Sequence, residues 1–203
     1  MTSSAAASSA SATSLARLLR AGAPAADIAG YLDGLSAAAR VEEVLGITGG
    51  GVKRLYDAMA GTPTVTIDEF VPRSHEGTLI YEGRNSLVAF SRFQKRFLRL
   101  GSGEVIGYNH QTMSFVTGPG YFQLREATGE GPHGSEMFFD YTAPAPATSP
   151  VGWPTYSPNE SGLSRLVYAH MKDYVRRVAR GVIVGKAYKK GVDQNAYFTL
   201  SLP

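Results

Sequence analysis

Residues 181–202 read GVIVGKAYKKGVDQNAYFTLSL and contain two runs of alternating side chains around a turn. Val182 and Val184 precede the turn Lys189–Lys190–Gly191, and Phe198 and Leu200 follow it with a polar residue between them. Alternation with a period of two residues is typical of a half-buried β-strand. Two such runs around a glycine turn predict a β-hairpin at this end of the chain.

Short strand-like runs separated by glycine turns continue upstream to residue 78. Eight glycines lie between residues 101 and 134, more than a helix tolerates. We interpret 83–85 as a turn, 86–91 as a turn of helix and 113–117 as one of the strands. Seven or eight strands in about 125 residues can close an antiparallel barrel. The sequence therefore predicts an α+β, mainly β fold, with an antiparallel β-barrel-like domain preceded by a short helical N-terminal segment.

The composition changes near residue 76 and divides the chain into three predicted parts. Residues 1–14 are almost entirely Ala, Ser and Thr, which predicts a disordered tail. Residues 15–76 are predicted to be helical, because Ser36 is suited to an N-cap and apolar residues after residue 51 recur at helical spacing. Gly49–Gly51 is predicted to end the helix that follows Ser36. Residues 77–203 are assigned to the barrel-like domain, which includes a proline-rich loop at 142–160.

The composition of the 203 residues also excludes several classes of protein. No cysteine is present, which excludes a disulfide framework, a zinc ribbon and a thiol nucleophile. No stretch is long and apolar enough for a transmembrane helix, and the four histidines lack metal-ligand spacing. We therefore predict no membrane span, no metal and no cofactor. We predict a cytoplasmic protein, with an organellar matrix as the alternative because the first 26 residues contain no acid.

The final third of the chain resembles a known type of barrel. Asp173–Val178, Val182–Ala187 and Tyr197–Leu200 are similar to the closing strands of small calycin-like barrels of the GXWXG type. The defining Gly-x-Trp-x-Gly motif is absent, since Gly83–Ser86 stands in its place without a tryptophan. The resemblance implies a barrel with a pocket for a small hydrophobic molecule.

Polar and aromatic residues that follow one another near the predicted turns form the candidate binding site. Pockets for small molecules are mostly apolar with a few converging polar groups, which is the composition found around residues 107–111. We therefore predict a barrel that binds a largely apolar small molecule. The predicted polar anchors are Arg84, Asn85, Asn109 and His110, and the predicted lining residues are Tyr81, Phe90, Tyr108, Met113, Tyr121 and Phe139.

Two alternative functions remain open at this stage. In the first, the protein is an enzyme that uses His110 as general acid or base, oriented by Glu126 or Asp140, because histidine titrates near neutral pH. In the second, the basic C-terminal strands bind nucleic acid or another anionic surface. Residues 161–203 contain eight basic and two acidic residues. We expect those charges to be spread around the barrel, with Phe93 and Phe97 in the core, and do not expect nucleic acid as a partner.

Overall fold

The computed structural model describes residues 13–86, 91–110, 118–129, 133–144 and 148–203. Most of the helices precede the barrel and are short, as the frequent Gly and Pro residues between them require. Within the described ranges they are α1 (Leu15–Ala21), α2 (Ala25–Asp33), α3 (Ala37–Gly46), α4 (Gly49–Ala58), α5 (Ile67–Phe70) and α6 (Ser164–Val167). None of these helices is long and apolar enough to cross a membrane.

Eight antiparallel strands follow one another in sequence order and form a closed barrel, as predicted. They are β1 (Leu79–Asn85), β2 (Arg92–Arg99), β3 (Val105–His110), β4 (Phe122–Glu126), β5 (Met137–Asp140), β6 (Met171–Ala179), β7 (Val182–Lys189) and β8 (Val192–Ser201). The barrel is closed by pairing between β8 and β1, in which Leu200 lies opposite Gly83. Because β1 and β8 pair with each other, neither strand has an exposed edge where they are paired.

The short helix α5 plugs one end of the barrel, which we call the plugged end. The ring of Phe70 stacks on Tyr81 at 4.3 Å between centroids and meets Phe97 edge-on at 5.0 Å. The Tyr81 hydroxyl donates a 2.8 Å hydrogen bond to the Phe70 carbonyl oxygen. Aromatic side chains therefore fill this half of the barrel and continue into a core that includes Phe139.

The segment from α1 to α4 packs on the outer surface of the last three strands. Its apolar face joins a second core with Val178, Val184 and Tyr197. Arg40 lies inside this contact and donates hydrogen bonds to the carbonyl oxygens of Leu32, Leu35 and Arg180. Because Arg180 follows β6, this guanidinium joins the helices directly to the barrel.

Two local predictions were wrong, and in both cases a glycine serves packing or helix formation. Residues 83–85 were predicted as a turn but belong to β1, where Gly83 faces the ring of Phe93. A Cβ at Gly83 would lie 2.7 Å from that ring. Gly49–Gly51 was predicted to end a helix but forms the first turn of α4. The predicted strand at 113–117 and most of the predicted helical turn at 86–91 lie outside the described residues.

Candidate functional site

Four polar side chains meet inside the barrel, closer to the end opposite α5. The strand register explains how two of them share a face, because Lys95 lies directly opposite Asn109 on β3 and opposite Tyr81 on β1. Residues directly opposite each other project on the same side of a sheet. Asp173, on β6, pairs with Phe139, whose ring belongs to the interior core. We call Lys95, Asn109, Tyr141 and Asp173 the interior cluster.

The ammonium group of Lys95 is the centre of the interior cluster. Its Nζ atom donates hydrogen bonds to Asn109 Oδ1 at 2.7 Å and to the Tyr141 hydroxyl at 2.5 Å. It also lies 3.4 Å from Asp173 Oδ2, which accepts a 3.1 Å hydrogen bond from Tyr141. The Lys95 and Asp173 side chains are only 3% and 5% exposed, so they form an ion pair shielded from solvent.

Aromatic rings surround the Lys95 ammonium on several sides. Its Nζ atom lies 4.7 Å from the ring centroid of Phe122, 4.9 Å from that of Phe139 and 5.2 Å from that of Phe198. Cation–π attraction at such distances is worth about 2 kcal/mol when the site is desolvated. The rings therefore offset part of the cost of removing this charge from water.

Burial changes the protonation behaviour of the three titratable groups in the interior cluster. It lowers the pKa of Lys95 to about 8, although the Asp173 carboxylate acts in the opposite direction. Burial raises the pKa of Asp173, with Lys95 opposing the shift, and it raises the pKa of Tyr141 well above 10. Burial thus disfavours both the Lys95 ammonium and the Asp173 carboxylate. The free energy of transferring the Lys95 proton to Asp173 is therefore closer to zero than it is in water.

One carboxylate oxygen of the interior cluster lacks a hydrogen-bond donor. Asp173 Oδ1 is buried and has no hydrogen-bond partner among the residues that the structure describes. A buried acceptor left without a partner costs about 1–3 kcal/mol of folding stability. A ligand with a hydroxyl group could donate to this atom.

The end of the barrel opposite α5 is covered by residues 157–170, which we call the covering segment. Tyr168 stacks on Tyr141 at 5.4 Å with nearly parallel rings. It also lies against Gly120, where a Cβ would be 2.6 Å from the Tyr168 ring. Asn159 Nδ2 donates hydrogen bonds to the carbonyl oxygens of Tyr121 and Tyr141 at 2.8 and 2.9 Å. Access to the interior cluster from this end therefore requires the covering segment to move.

The structure brings some of the predicted ligand-binding residues together and separates others. Tyr81, Asn109 and Phe139 line the interior, as described above. Other predicted residues lie elsewhere: Arg84 donates to the Leu45 carbonyl oxygen on the helical side, and Tyr108 and Tyr121 pack with Trp153. Asn85 ends β1 and His110 is exposed at the end of β3. Phe90 and Met113 lie outside the described residues.

The three residues of the enzyme hypothesis are not brought together. Partial desolvation and the charge of Arg96 lower the pKa of His110, which contacts the Tyr108 ring. Glu126 lies at the plugged end, where it accepts a hydrogen bond from the Ile67 N–H. Asp140 forms an ion pair with Arg125 and accepts hydrogen bonds from Thr142. The role of His110 in catalysis therefore stays a prediction, without a carboxylate partner among the described residues.

Several basic side chains of the C-terminal strands have partners within the protein. Arg176 pairs with Glu136 at 2.9 Å, Arg177 pairs with Glu69, and Lys186 pairs with Asp193 at 2.6 Å. Phe97 is fully buried and Phe93 packs against the same core, as predicted. These contacts leave fewer free charges for an anionic surface, and the absence of a nucleic-acid partner stays a prediction.

Sequence analysis missed three members of the interior cluster: Lys95, Tyr141 and Asp173. A signal was present in residues 93–97, FQKRF, because alternation places Lys95 on the same face as Phe93 and Phe97. A lysine between two inward phenylalanines indicates a buried cation. Comparisons with protein-family models, curated proteins and solved structures found no match for this chain.

Proposed function

We propose that this barrel binds a small molecule whose apolar body lies among the interior rings and whose oxygen-bearing group meets the interior cluster. The observation that carries the proposal is the buried Lys95–Asp173 pair, in which one carboxylate oxygen has no partner within the described part of the chain. A buried ion pair is generally no more stable than apolar residues of the same size. Shifted pKa values next to a specific charge partner are typical of functional sites.

The charges of the interior cluster define the chemical class of the ligand. Lys95 and Asp173 balance each other, which disfavours a ligand that carries a net charge into the same chamber. A hydroxyl group can donate to Asp173 Oδ1, and a carbonyl or hydroxyl oxygen can accept from Lys95. The surrounding rings of Phe122 and Phe198 suit a planar or aliphatic body. The ligand class is thus an uncharged alcohol or carbonyl compound of modest size.

The described interior is well packed, which limits the size of the ligand. Phe93, Phe122 and Phe198 each lie against an inward glycine, at positions 83, 107 and 185. A ligand must therefore displace one of these rings or the covering segment. The resemblance to calycin-like barrels of the GXWXG type is part of this proposal, since it implies the same kind of ligand.

Isothermal titration calorimetry with cinnamyl alcohol tests the proposal. We expect binding to one site in the full-length protein, and a loss of at least tenfold in affinity, about 1.4 kcal/mol, in the Lys95→Met variant. Lys53→Met is the matched control, because Lys53 is an exposed lysine paired with Asp57 on α4. The double variant Lys95→Met/Asp173→Val provides a second test in which no charge is left unpaired. Absence of heat with the unmodified protein, or equal binding by the double variant, would contradict the proposal.

A further inference from the structure

We propose that Lys95 is a covalent nucleophile that forms an imine with the carbonyl group of an aldehyde or ketone ligand. The inference rests on the proposed function, because the ligand must first occupy the interior. Its geometric basis is the placement of an amine, a carboxylate and a phenolic hydroxyl within 3.4 Å of one another, among aromatic rings of the barrel interior. A simple binding pocket needs no primary amine paired in this way.

The surroundings of Lys95 favour its neutral, nucleophilic form. Desolvation lowers the pKa of Lys95 to about 8, and a lysine in an apolar pocket is activated by this effect. Asp173 Oδ2 is the nearest carboxylate oxygen and can accept the proton that the ammonium releases. Asn109 and Tyr141 hold the Nζ atom by hydrogen bonds, which fixes its position toward an incoming carbonyl carbon.

The reaction needs only groups that are present. The ammonium of Lys95 gives a proton to Asp173, and the Nζ lone pair then forms a bond to the carbonyl carbon. The carbonyl π electrons move to the oxygen, which takes a proton from Nζ through the hydrogen-bonded hydroxyl of Tyr141, giving a neutral carbinolamine. The C–O bond then breaks as Asp173 protonates the leaving oxygen, and the nitrogen lone pair forms the C=N bond of the protonated imine. Water leaves, and no electrons are gained or lost overall.

Asp173 takes part in two of these reaction steps. Its Oδ2 atom faces Lys95 and Tyr141, whereas its buried Oδ1 atom has no partner among the described residues. The hydroxyl group of the carbinolamine could donate to Oδ1 before it leaves. The same carboxyl group can thus accept the proton from nitrogen and return it to oxygen.

The chain offers an internal comparison among its lysines. It contains six of them, so labelling can be assigned to individual residues by peptide mass spectrometry. Lys53 is exposed and its hydrogen bond to Asp57 raises its pKa, which keeps it protonated at pH 8. Burial acts to lower the pKa of Lys186, but its interactions with Asp193 and Tyr197 together outweigh burial and raise it. Preferential labelling of Lys95 would therefore mean that a buried lysine reacts faster than the more exposed ones.

Reductive trapping with cinnamaldehyde and sodium cyanoborohydride tests the inference on the full-length protein. We expect one stable alkyl group on Lys95, formed at a rate that rises through about pH 8, where its amine loses the proton. The N-terminal amine, with an ordinary pKa of about 8, serves as the internal rate reference. Lys95→Met should abolish this label, and Asp173→Asn should slow it at least tenfold, whereas the surface control Asp57→Asn should not change it.

Cinnamyl alcohol separates failure of the imine from failure of the proposed function, because it has the same body without a carbonyl group. We expect it to bind and to compete with trapping at Lys95. If the alcohol binds and Lys95 remains unlabelled while the other amines react, the imine is refuted and the binding function stands. If neither compound binds and Lys95 remains unlabelled, both proposals are wrong.

Discussion

Removing one member of the Lys95–Asp173 pair should destabilise the protein far more than removing both. Both side chains are at least 95% buried, so the remaining charge in either single variant has no access to water. Breaking a buried pair in this way costs about 3–5 kcal/mol. We therefore expect the free energy of unfolding to fall by that amount in Lys95→Met. Asp173→Val should cost a similar amount, because in either variant the buried group left behind must stay charged without its partner or change its protonation state.

The double variant Lys95→Met/Asp173→Val should recover most of the lost stability. Apolar residues of similar volume often match a buried ion pair or exceed it by about 1–4 kcal/mol. Tyr141 and Asn109 remain hydrogen-bonded to each other, since Asn109 Nδ2 donates to the Tyr141 hydroxyl at 3.2 Å. The Tyr141 hydroxyl can in turn donate to Asn109 Oδ1, which lies 3.4 Å away, so the two groups that lose a bond to Lys95 or Asp173 satisfy each other. The coupling between the two substitutions should therefore be about 2 kcal/mol or more.

Equilibrium urea unfolding, followed by circular dichroism and by the fluorescence of Trp153, measures these differences. Trp153 is the single tryptophan and packs at 4.7 Å from the Tyr108 ring, so its emission reports the folded outer surface. Unchanged slopes with denaturant would show that the same surface is exposed in each variant. Additive losses, with the double variant less stable than either single one, would refute the argument that charge burial dominates at this site.

Three further predictions concern packing, the helix–barrel contact and pH. Gly107→Ala should lower the free energy of unfolding by about 1–3 kcal/mol, measured by thermal or urea unfolding, because a Cβ there would lie 2.5 Å from the Phe122 ring. The control Gly101→Ala should change stability little, because a Cβ there meets nothing within 4 Å. Arg40→Met should cost about 2–4 kcal/mol because it removes three hydrogen bonds to carbonyl oxygens at the helix–barrel contact. Full stability of this variant would contradict the role assigned to Arg40. Between pH 8 and 10.5 the unfolded chain binds a proton at Lys95 that the native state does not. The free energy of unfolding should therefore rise with pH over this range, compared with that of Lys95→Met/Asp173→Val. Parallel curves of stability against pH for the two proteins would contradict the lowered pKa of Lys95.

The closed barrel could be predicted because its signal is local. Alternating side chains in β7 and β8 and the turn between them specify a hairpin without reference to the rest of the chain. Seven or eight such strands are enough to close a barrel, in which the edges of the first and last strands pair with each other. The same local pattern misled at Gly83, because only the tertiary position of the Phe93 ring shows why a residue without a side chain is needed there.

The interior cluster could be predicted only in part, for two different physical reasons. Asn109 and His110 were grouped as neighbours in sequence, although alternation in β3 directs Asn109 inward and leaves His110 exposed. The opposite charge that helps to stabilise Lys95 in the interior comes from Asp173, 78 residues further along the chain. A pairing at that separation leaves no local pattern in the sequence.

Barrel closure through β1 and β8 makes the order of synthesis a constraint on folding. β1 begins at residue 79 and its pairing partner β8 ends at residue 201, so the ring cannot close until β8 has been synthesised. The packing of α1 to α4 on the barrel is delayed in the same way, since their apolar faces contact Val184 and Tyr197. Contacts between such distant parts of a chain slow folding. During that interval the nascent chain exposes the apolar residues of both cores, and such exposure favours aggregation.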